Sequence, residues 1–382
     1  MNVTRVEARS YIFQENIGFS LNWIALQCLK PMHYTSELFI HSYFTPIRPG
    51  EFGNLSTKTL ERVSRAFQFI FCVVVAPVAL VGLGISFALD SLGDYMTQKS
   101  YMKLVGNAEE KKSCSKPSFM TLNACMLWGG LPILFGGVRP ARERIDEVAN
   151  LILEQDPDVL VMQEMSFESG RSLWDKLKDT YASGFTRISP MPGFSLDSGL
   201  FIACKLPIVT EPIFYPLPSH KIIKKGFFYF ETEKHAVFVA HLVAGDEAED
   251  AAVRKEQLDA IVSKMQKARK ELSKECLLLG DLNINLKRTG NDEYSTSKVS
   301  EFLANDTIPC EITEETANCT NRLIAYAKGQ KVEEENAFEH IDYALRLRTP
   351  FGTPLTVRLV ATYDLNQPDR ALSDHKGLFV CT

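Results

Sequence analysis

Polar side chains follow several apolar, strand-like stretches of this sequence, and their types suit chemistry on phosphate esters. Glu164 ends the stretch DVLVMQE, and Asp281 and Asn283 end LLLGDLN. On an extended chain, residues two apart project from the same side, so Asp281 and Asn283 are expected to share one face. The alternative for this segment is an Asx turn that caps a buried strand and has no further role.

Four other stretches contain polar residues that a buried strand does not need. TLNAC contains Asn123, FVAHL contains His241, EHIDYAL contains Asp342, and LSDHKG contains Asp374 and His375. Each residue alone has an ordinary explanation, such as a hydrogen-bonded core histidine or a solvated strand end. Their recurrence at so many strand ends favours a common site instead.

These residue types fit metal-dependent hydrolysis of a phosphodiester. The carboxylate of Glu164 and the amide oxygen of Asn123 are hard ligands that suit Mg²⁺. A histidine with a carboxylate partner suits a general base, and amide or imidazole groups suit the charge that develops on phosphoryl oxygens. The sequence has no Cys/His cluster with zinc spacing and no GxxxxGK[ST] loop, so neither a zinc site nor a P-loop is predicted.

The elements that must position these residues alternate between strands and helices after residue 118. The predicted helices are 139–155, 171–181 and 249–272. In the last one, apolar residues recur at i, i+3, i+4 and i+7, which indicates one face against a core. Many short strands with few helices predict an α/β fold of two packed sheets with helices outside, an α/β sandwich.

The N-terminal part of the chain has a different character. The segment 66–89, AFQFIFCVVVAPVALVGLGISFAL, contains no charge and is long enough to cross a hydrocarbon core as a helix. Pro77 at its middle indicates a kink or a re-entrant hairpin. We expect this segment to insert into or onto a membrane, and the alternative is a buried helix of a soluble protein. The shorter apolar stretch 17–29 suits the membrane interface.

These patterns divide the chain into three parts. A membrane-associated region is predicted for 1–104, a polar linker for 105–118, and a catalytic domain for 119–382. The net charge of −5 disfavours nucleic acid as the main partner. The nine cysteines include no CxxC pair, so a disulfide scaffold is not expected, and pairing of Cys310 with Cys319 is left open.

The motifs resemble the endonuclease/exonuclease/phosphatase superfamily and, within it, the membrane-bound neutral sphingomyelinases. The resemblance is carried by Asn123 and by QE at 163–164, GDLN at 280–283, IDY at 341–343 and SDH at 373–375. The stretches DSGLFIACKLPIV, KKGFFYF, VFVAHLVA and RKEQLDAI also match the sphingomyelinases. The resemblance implies a four-layer, DNase I-like α/β sandwich, Mg²⁺-dependent cleavage of sphingomyelin to ceramide and phosphocholine, and stimulation by anionic phospholipids.

The resemblance also implies roles for the residues named above. Glu164 would be the main Mg²⁺ ligand with Asn123 beside it. His375 would be the base that activates water, Asp342 would orient His375, and Asp374 would lie next to it in the site.

The remaining roles concern the phosphate. Asp281 and Asn283 would hold the nucleophile and the phosphoryl oxygens, and His241 would bind phosphate. Lys225, a predicted substrate-binding residue, matches the lysine of an aspartate–lysine pair in the membrane-bound enzymes. The aspartate position, five residues earlier, is His220 in this chain.

The same motifs are also compatible with other functions. Another membrane-associated phosphoesterase is one, either an inositol-phosphate phosphatase or a lysophospholipid phosphodiesterase. A catalytically inactive lipid-binding scaffold is a second. For choline recognition, Phe227, Phe228, Tyr229 and Trp128 are candidates, although aromatic residues in strands often only fill a core.

Overall fold

The computed structural model describes most of the chain. The described residues are 5–39, 42, 55–97, 99–112, 116–126, 138–189, 197–220, 224–286, 290–306, 317–318, 338–347, 355–363 and 371–382. The helices are α1 Arg5–Phe39, α2 Leu55–Thr97, α3 Ala141–Gln155, α4 Phe167–Leu177, α5 Ala248–Leu272 and α6 Glu293–Asp306. Cys310, Cys319 and Trp128 lie outside the described residues, so the predictions about them stay open.

In the part of the chain that the structure describes, fourteen strands form three sheets. The strands are β1 Met102–Val105, β2 Ser118–Met126, β3 Val159–Met165, β4 Ser183–Thr186, β5 Phe201–Cys204, β6 Ile213–Pro216, β7 Gly226–Glu231, β8 His235–His241, β9 Glu275–Asp281, β10 Ala317–Asn318, β11 Phe338–Glu339, β12 Asp342–Arg346, β13 Thr356–Val360 and β14 Gly377–Cys381.

Two of these sheets make up the body of the domain. The seven-stranded sheet has the order β1-β4-β5-β3-β2-β14-β13, and the five-stranded sheet has the order β12-β9-β8-β7-β6. Strands β2 and β3 are parallel, and so are β8 and β9. Their sequences are nearly continuous apolar runs because parallel strands of this kind are covered on both faces. The predicted α/β class with two packed sheets is confirmed.

Buried apolar clusters show how the layers pack. One cluster lies between the two sheets and includes Val161, Val239 and Leu279. A second packs the seven-stranded sheet against α3 and α4. A third packs the five-stranded sheet against α5 and α6, and it contains all four residues of the predicted apolar face of α5. At these positions helical spacing correctly predicted the buried face.

Helix α4 begins earlier than the sequence pattern predicted. It starts at Phe167 rather than 171, because the Ser166 hydroxyl accepts a hydrogen bond from the Ser169 N–H (3.2 Å) and caps the helix. A serine directly after a strand was the signal that the periodicity analysis missed.

Helices α1 and α2 form an antiparallel hairpin. Gly82 packs against the carbonyl of Cys28, and nearer the C-terminus of α2 Gly93 packs against the Asn22 side chain. Among the described residues, one helical segment, Thr59–Thr97, is long and apolar enough to cross a membrane, and only 17% of its most apolar window is buried. Length and composition of this kind are by themselves weak support for a membrane segment.

The hairpin also contacts the rest of the chain through ion pairs. His33 lies 2.5 Å from the carboxylate of Glu168, and Arg142 lies 2.9 Å from that of Glu37. Strand β1, at residues that the sequence assigned to the N-terminal region and linker, pairs with β4 of the seven-stranded sheet. The domain boundaries stay a prediction.

Candidate active site

Residues at the carboxyl ends of the parallel strands meet between the two sheets. Asn123 and Glu164 lie near the ends of β2 and β3, and His241 and Asp281 end β8 and β9. The Nδ2 of Asn123 donates to Glu164 Oε1 and to Asp281 Oδ2, each at 3.0 Å. One amide therefore joins a carboxylate of one sheet to a carboxylate of the other, and its own oxygen accepts from the Cys125 N–H (3.1 Å).

A buried histidine–carboxylate pair faces this cluster. His375 Nδ1 lies 2.8 Å from Asp342 Oδ2, and Nε2 lies 4.0 Å from Asp281 Oδ2. The Nε2 of His241 approaches the same oxygen of Asp281, at 3.7 Å. The partner on Nδ1 orients the His375 ring so that its other nitrogen points into the site.

The SDH segment is fixed by hydrogen bonds to strand β2. Ser373 Oγ donates to the Asn123 carbonyl (2.6 Å) and accepts from the His375 N–H (3.1 Å). Arg144 of α3 is fully buried and donates to the carbonyls of Ala124, Cys125 and Leu372. No pattern in the sequence indicated this role, because an arginine in a helix is usually solvated.

Asn283 does not continue the strand as the alternation pattern predicted. Strand β9 ends at Asp281, and Asn283 has φ +53°, in the left-handed region that asparagine tolerates. Its N–H donates to Asp281 Oδ1 (2.9 Å), which is the Asx-type contact of the alternative interpretation, and its Nδ2 donates to the Leu242 carbonyl (3.2 Å). The turn and the site coexist at this position.

Lys225 and His220 lie on the segment before β7. Lys225 is buried, and its charge acts on both Glu164 and His241. His220 Nε2 lies 3.0 Å from Asp250 Oδ1 at the start of α5. The histidine at the aspartate position therefore has an acidic partner from a neighbouring helix.

The aromatic residues of β7 mainly fill the core. Phe227 and Phe228 are buried in the clusters on either side of the five-stranded sheet. Tyr229 is half-buried and donates to Glu231 Oε1 (2.6 Å). Their packing favours the core interpretation over choline recognition.

Burial and clustering shift the pKa of several of these groups. Burial raises the pKa of Glu164, with Asp374 adding to the effect, and burial together with Asp342 raises the pKa of Asp281 to about 7. Burial alone would lower the pKa of His375, but Asp342 and Asp374 outweigh it and hold this pKa well above its usual value. Burial, Lys225 and His375 hold the pKa of His241 well below its usual value.

This donor set fits a divalent cation. Ligand atoms of Glu164, His241 and Asp281 lie within 4.8 Å of one another, and so do those of Asp281, Asp342 and His375. The raised pKa values of Glu164 and Asp281 reflect buried negative charge, which a cation would offset. Oxygen-rich ligands suit Mg²⁺.

Solved structures that superpose with TM-scores of 0.50 or more support this description of the fold. The crystal structure of SmcL superposes with a TM-score of 0.51 at 18% identity, covering 70% of this chain and 99% of SmcL. A magnesium-bound mutant of beta toxin from Staphylococcus aureus gives 0.50 at 19% identity, covering 70% and 99%. Truncated TDP2 from Caenorhabditis elegans gives 0.48 at 15% identity, covering 70% and 97%.

No curated protein matched the chain in a separate search. The family model for the endonuclease/exonuclease/phosphatase family matches residues 120–375, which is more than half of the sequence and contains all eight residues of the predicted catalytic and metal site. The chain belongs to the endonuclease/exonuclease/phosphatase family.

Proposed function

We propose that this protein is a Mg²⁺-dependent sphingomyelin phosphodiesterase that releases phosphocholine and leaves ceramide in the membrane. The observation that carries the catalytic part is the buried His375–Asp342 pair facing carboxylates of both sheets. The family membership supports a phosphoesterase. The choice of sphingomyelin rests on the sequence resemblance stated above.

The proposed reaction is an in-line attack of water on phosphorus. His375 takes the proton of that water at Nε2, and Asp342 holds the ring through Nδ1 and stabilises the imidazolium that forms. A base must be uncharged to accept a proton. The carboxylates that raise the pKa of His375 must therefore be offset by positive charge in the working enzyme.

The metal would be held by Glu164, with Asp281 and Asn123 adjacent. Bound there, Mg²⁺ supplies charge stabilisation for the phosphoryl oxygens and for the departing ceramide alkoxide. The beta toxin neighbour was crystallised with magnesium ions, which is consistent with this choice.

The remaining site residues bind the phosphate. A largely uncharged His241 can donate a hydrogen bond. The Asn283 amide lies near His241, because its Nδ2 donates to the carbonyl of the next residue, Leu242. The buried ammonium of Lys225 adds positive charge on the same side. Such fixed donors stabilise charge as it develops on phosphoryl oxygens.

A membrane substrate is supported by the apolar surface of α2. The exposed apolar side chains of this helix include Phe67, Val74, Val78 and Val81, each more than 60% exposed. An exposed apolar surface of this extent marks a site of membrane or protein contact. We therefore infer that the N-terminal hairpin associates with a membrane. That anionic phospholipids act as activators is a proposal that rests on the sequence resemblance alone.

The test is hydrolysis of sphingomyelin in mixed micelles, titrated with Mg²⁺, with and without anionic phospholipid. We expect release of phosphocholine that EDTA abolishes and that Glu164→Gln lowers by about 10²-fold or more, since the metal contributes several kcal/mol. Lysophospholipid, phosphoinositide and abasic DNA in the same assay separate the alternatives. Faster cleavage of one of these, or equal activity in EDTA, contradicts the proposal.

A further inference from the structure

We propose that Asp250, Arg254 and Gln257 of α5 are positioning residues that hold the loops of the active site. They follow one another at i, i+4 and i+7, which puts them on one side of the helix, and each is at most 5% exposed. The proposal rests on the phosphodiester hydrolysis proposed above and concerns how its residues are kept in place.

Arg254 holds the loop that follows His241. Its Nη1 donates to the carbonyls of Val243 (2.9 Å) and Gly245 (2.6 Å), while Nε and Nη2 donate to the carboxylate of Asp292. Asp292 lies beyond Asn283 on the chain, so the guanidinium joins the loops that follow β8 and β9. A buried ion pair gives little net stability, and conformational specificity is the role that this geometry points to.

The side-chain amide of Gln257 forms hydrogen bonds with two different segments. Its Oε1 accepts from the Val243 N–H (3.1 Å), and its Nε2 donates to the Pro218 carbonyl (2.6 Å). The Leu217 N–H in turn donates to the Lys225 carbonyl (2.9 Å). Gln257 therefore joins the loop after His241 to the segment that carries Lys225.

Asp250 contacts the same segment at a second point. Its carboxylate pairs with His220 at 3.0 Å, two residues after Pro218. The segment before β7 is thus attached to α5 through a backbone carbonyl and through a side chain. This attachment gives His220 a structural role at the position where the resembling enzymes have an aspartate.

Leu242 transmits the position of this loop to the reacting groups. The Leu242 N–H donates to the Asp281 carbonyl (3.0 Å), and the Leu242 carbonyl accepts from Asn283 Nδ2 (3.2 Å). A shift of Val243 therefore displaces His241 and Asn283 together. Misplacement of groups by about 1 Å is enough to cost roughly 10²-fold in rate.

The experiment compares Arg254→Ala with Arg346→Ala in the full-length protein. Both arginines are buried, but Arg346 lies at the end of β12 away from Asp342 and pairs with Glu275. We expect Arg254→Ala to lower kcat for sphingomyelin about 10²-fold per folded molecule while KM changes by less than about threefold. Methylguanidinium, but not methylammonium, should restore part of that kcat. Arg346→Ala should lose stability but keep its kcat.

Two further variants keep the test decisive if Arg254→Ala does not fold. Arg254→Lys retains the charge without the fork of donors, and Gln257→Leu removes both amide hydrogen bonds at similar volume. We expect each to lower kcat about tenfold or more and to speed hydrogen exchange at the Val243 amide. A kcat within about threefold of wild type in both folded variants overturns the proposal, as does an equal loss in Arg346→Ala.

The exchange measurement separates this proposal from the proposed function. If the wild-type protein releases no phosphocholine, the sphingomyelinase assignment fails. Exchange at Val243 then still tests the attachment, because unchanged protection in Arg254→Lys and Gln257→Leu overturns it without any activity measurement.

Discussion

At the scale of single residues, the site depends on groups whose charges would be unfavourable in isolation. Asp342 and His375 are both buried, and each reduces the cost of burying the other. Since Asp342 is the largest influence that raises the pKa of His375, it determines the pH at which the base becomes uncharged.

Replacing Asp342 with asparagine should move the pH profile and lower the rate. The variant loses the charge that raises the pKa of His375, so the base stays uncharged to lower pH and the acidic limb of kcat shifts to lower pH. We expect kcat at its optimum to fall by about 10²-fold or more, because the imidazolium loses its stabilising partner. The measurement is kcat against pH.

His375→Ala is the reference variant for this comparison. It should abolish the contribution of the base, about 10²–10⁴-fold, while circular dichroism and thermal unfolding stay close to wild type. Near-normal hydrolysis by His375→Ala, or an acidic limb that moves to higher pH in Asp342→Asn, would contradict the role of this pair.

At the scale of elements, the close approach of β8 and β9 sets the position of the carboxylate at the end of β9. Gly280 has φ +145°, and a Cβ there would lie 1.9 Å from the carbonyl oxygen of Ala240. His241 and Asp281 are the next pair of residues along the two strands. A glycine at this position lets the two strands pair closely enough to bring those side chains into one site.

Gly280→Ala should destabilise the fold and misplace Asp281. We expect a loss of roughly 1–3 kcal/mol from the backbone conformation alone, with a further cost from the contact with Ala240, measured as a lower Tm and a lower kcat. Gly290→Ala is the matched control, because Gly290 also has positive φ (+45°) but, among the described residues other than its chain neighbours, none has an atom within 4 Å of the added Cβ. Equal effects of the two substitutions would rule out the close contact as the cause.

These elements also show which structural features can be predicted from the sequence. Apolar runs that end in polar residues correctly predicted the strands β3 and β9, because burial on both faces leaves a direct compositional trace. The hydrogen bonds of Arg144 to the Ala124 carbonyl and of Arg254 to the Val243 carbonyl leave no such trace, since these carbonyls lie 20 and 11 residues away along the chain. Asn123 was predicted as a metal ligand, but no local pattern indicated that its amide would bridge both sheets.

At the scale of the whole molecule, the hairpin lies along the edge of the domain that holds the active site. Its partners in the domain are Arg142 and Glu168, at the starts of α3 and α4, and Arg187, directly after β4. Strand β4 runs parallel to β3, because both are antiparallel to β5 between them. All three partners therefore lie at the carboxyl edge of the seven-stranded sheet, where Glu164 also lies.

The spacing of these contacts bears on how the hairpin meets a membrane. Along α1, contacts with the domain run from Phe19, which packs against the apolar cluster of the seven-stranded sheet, to Glu37. These two residues are 18 positions apart, which corresponds to about 27 Å of helix. A hydrocarbon core is about 30 Å thick, so a hairpin that crossed it upright would carry the charged edge of the domain into lipid.

We therefore expect α2 to lie in the plane of the membrane, with its exposed apolar side chains in the interface and the active site at the surface. The ends of α2 can be tested with Leu60→Cys and Tyr95→Cys, since these side chains are 69% and 67% exposed. After binding to preformed vesicles, both cysteines should react with a membrane-impermeant maleimide without detergent. Labelling of the exposed Cys381 shows on which side of the membrane the catalytic domain lies. If one end of α2 reacts only after detergent is added, the helix crosses the bilayer, and the contacts of Arg187 and Glu168 with the hairpin must break on insertion.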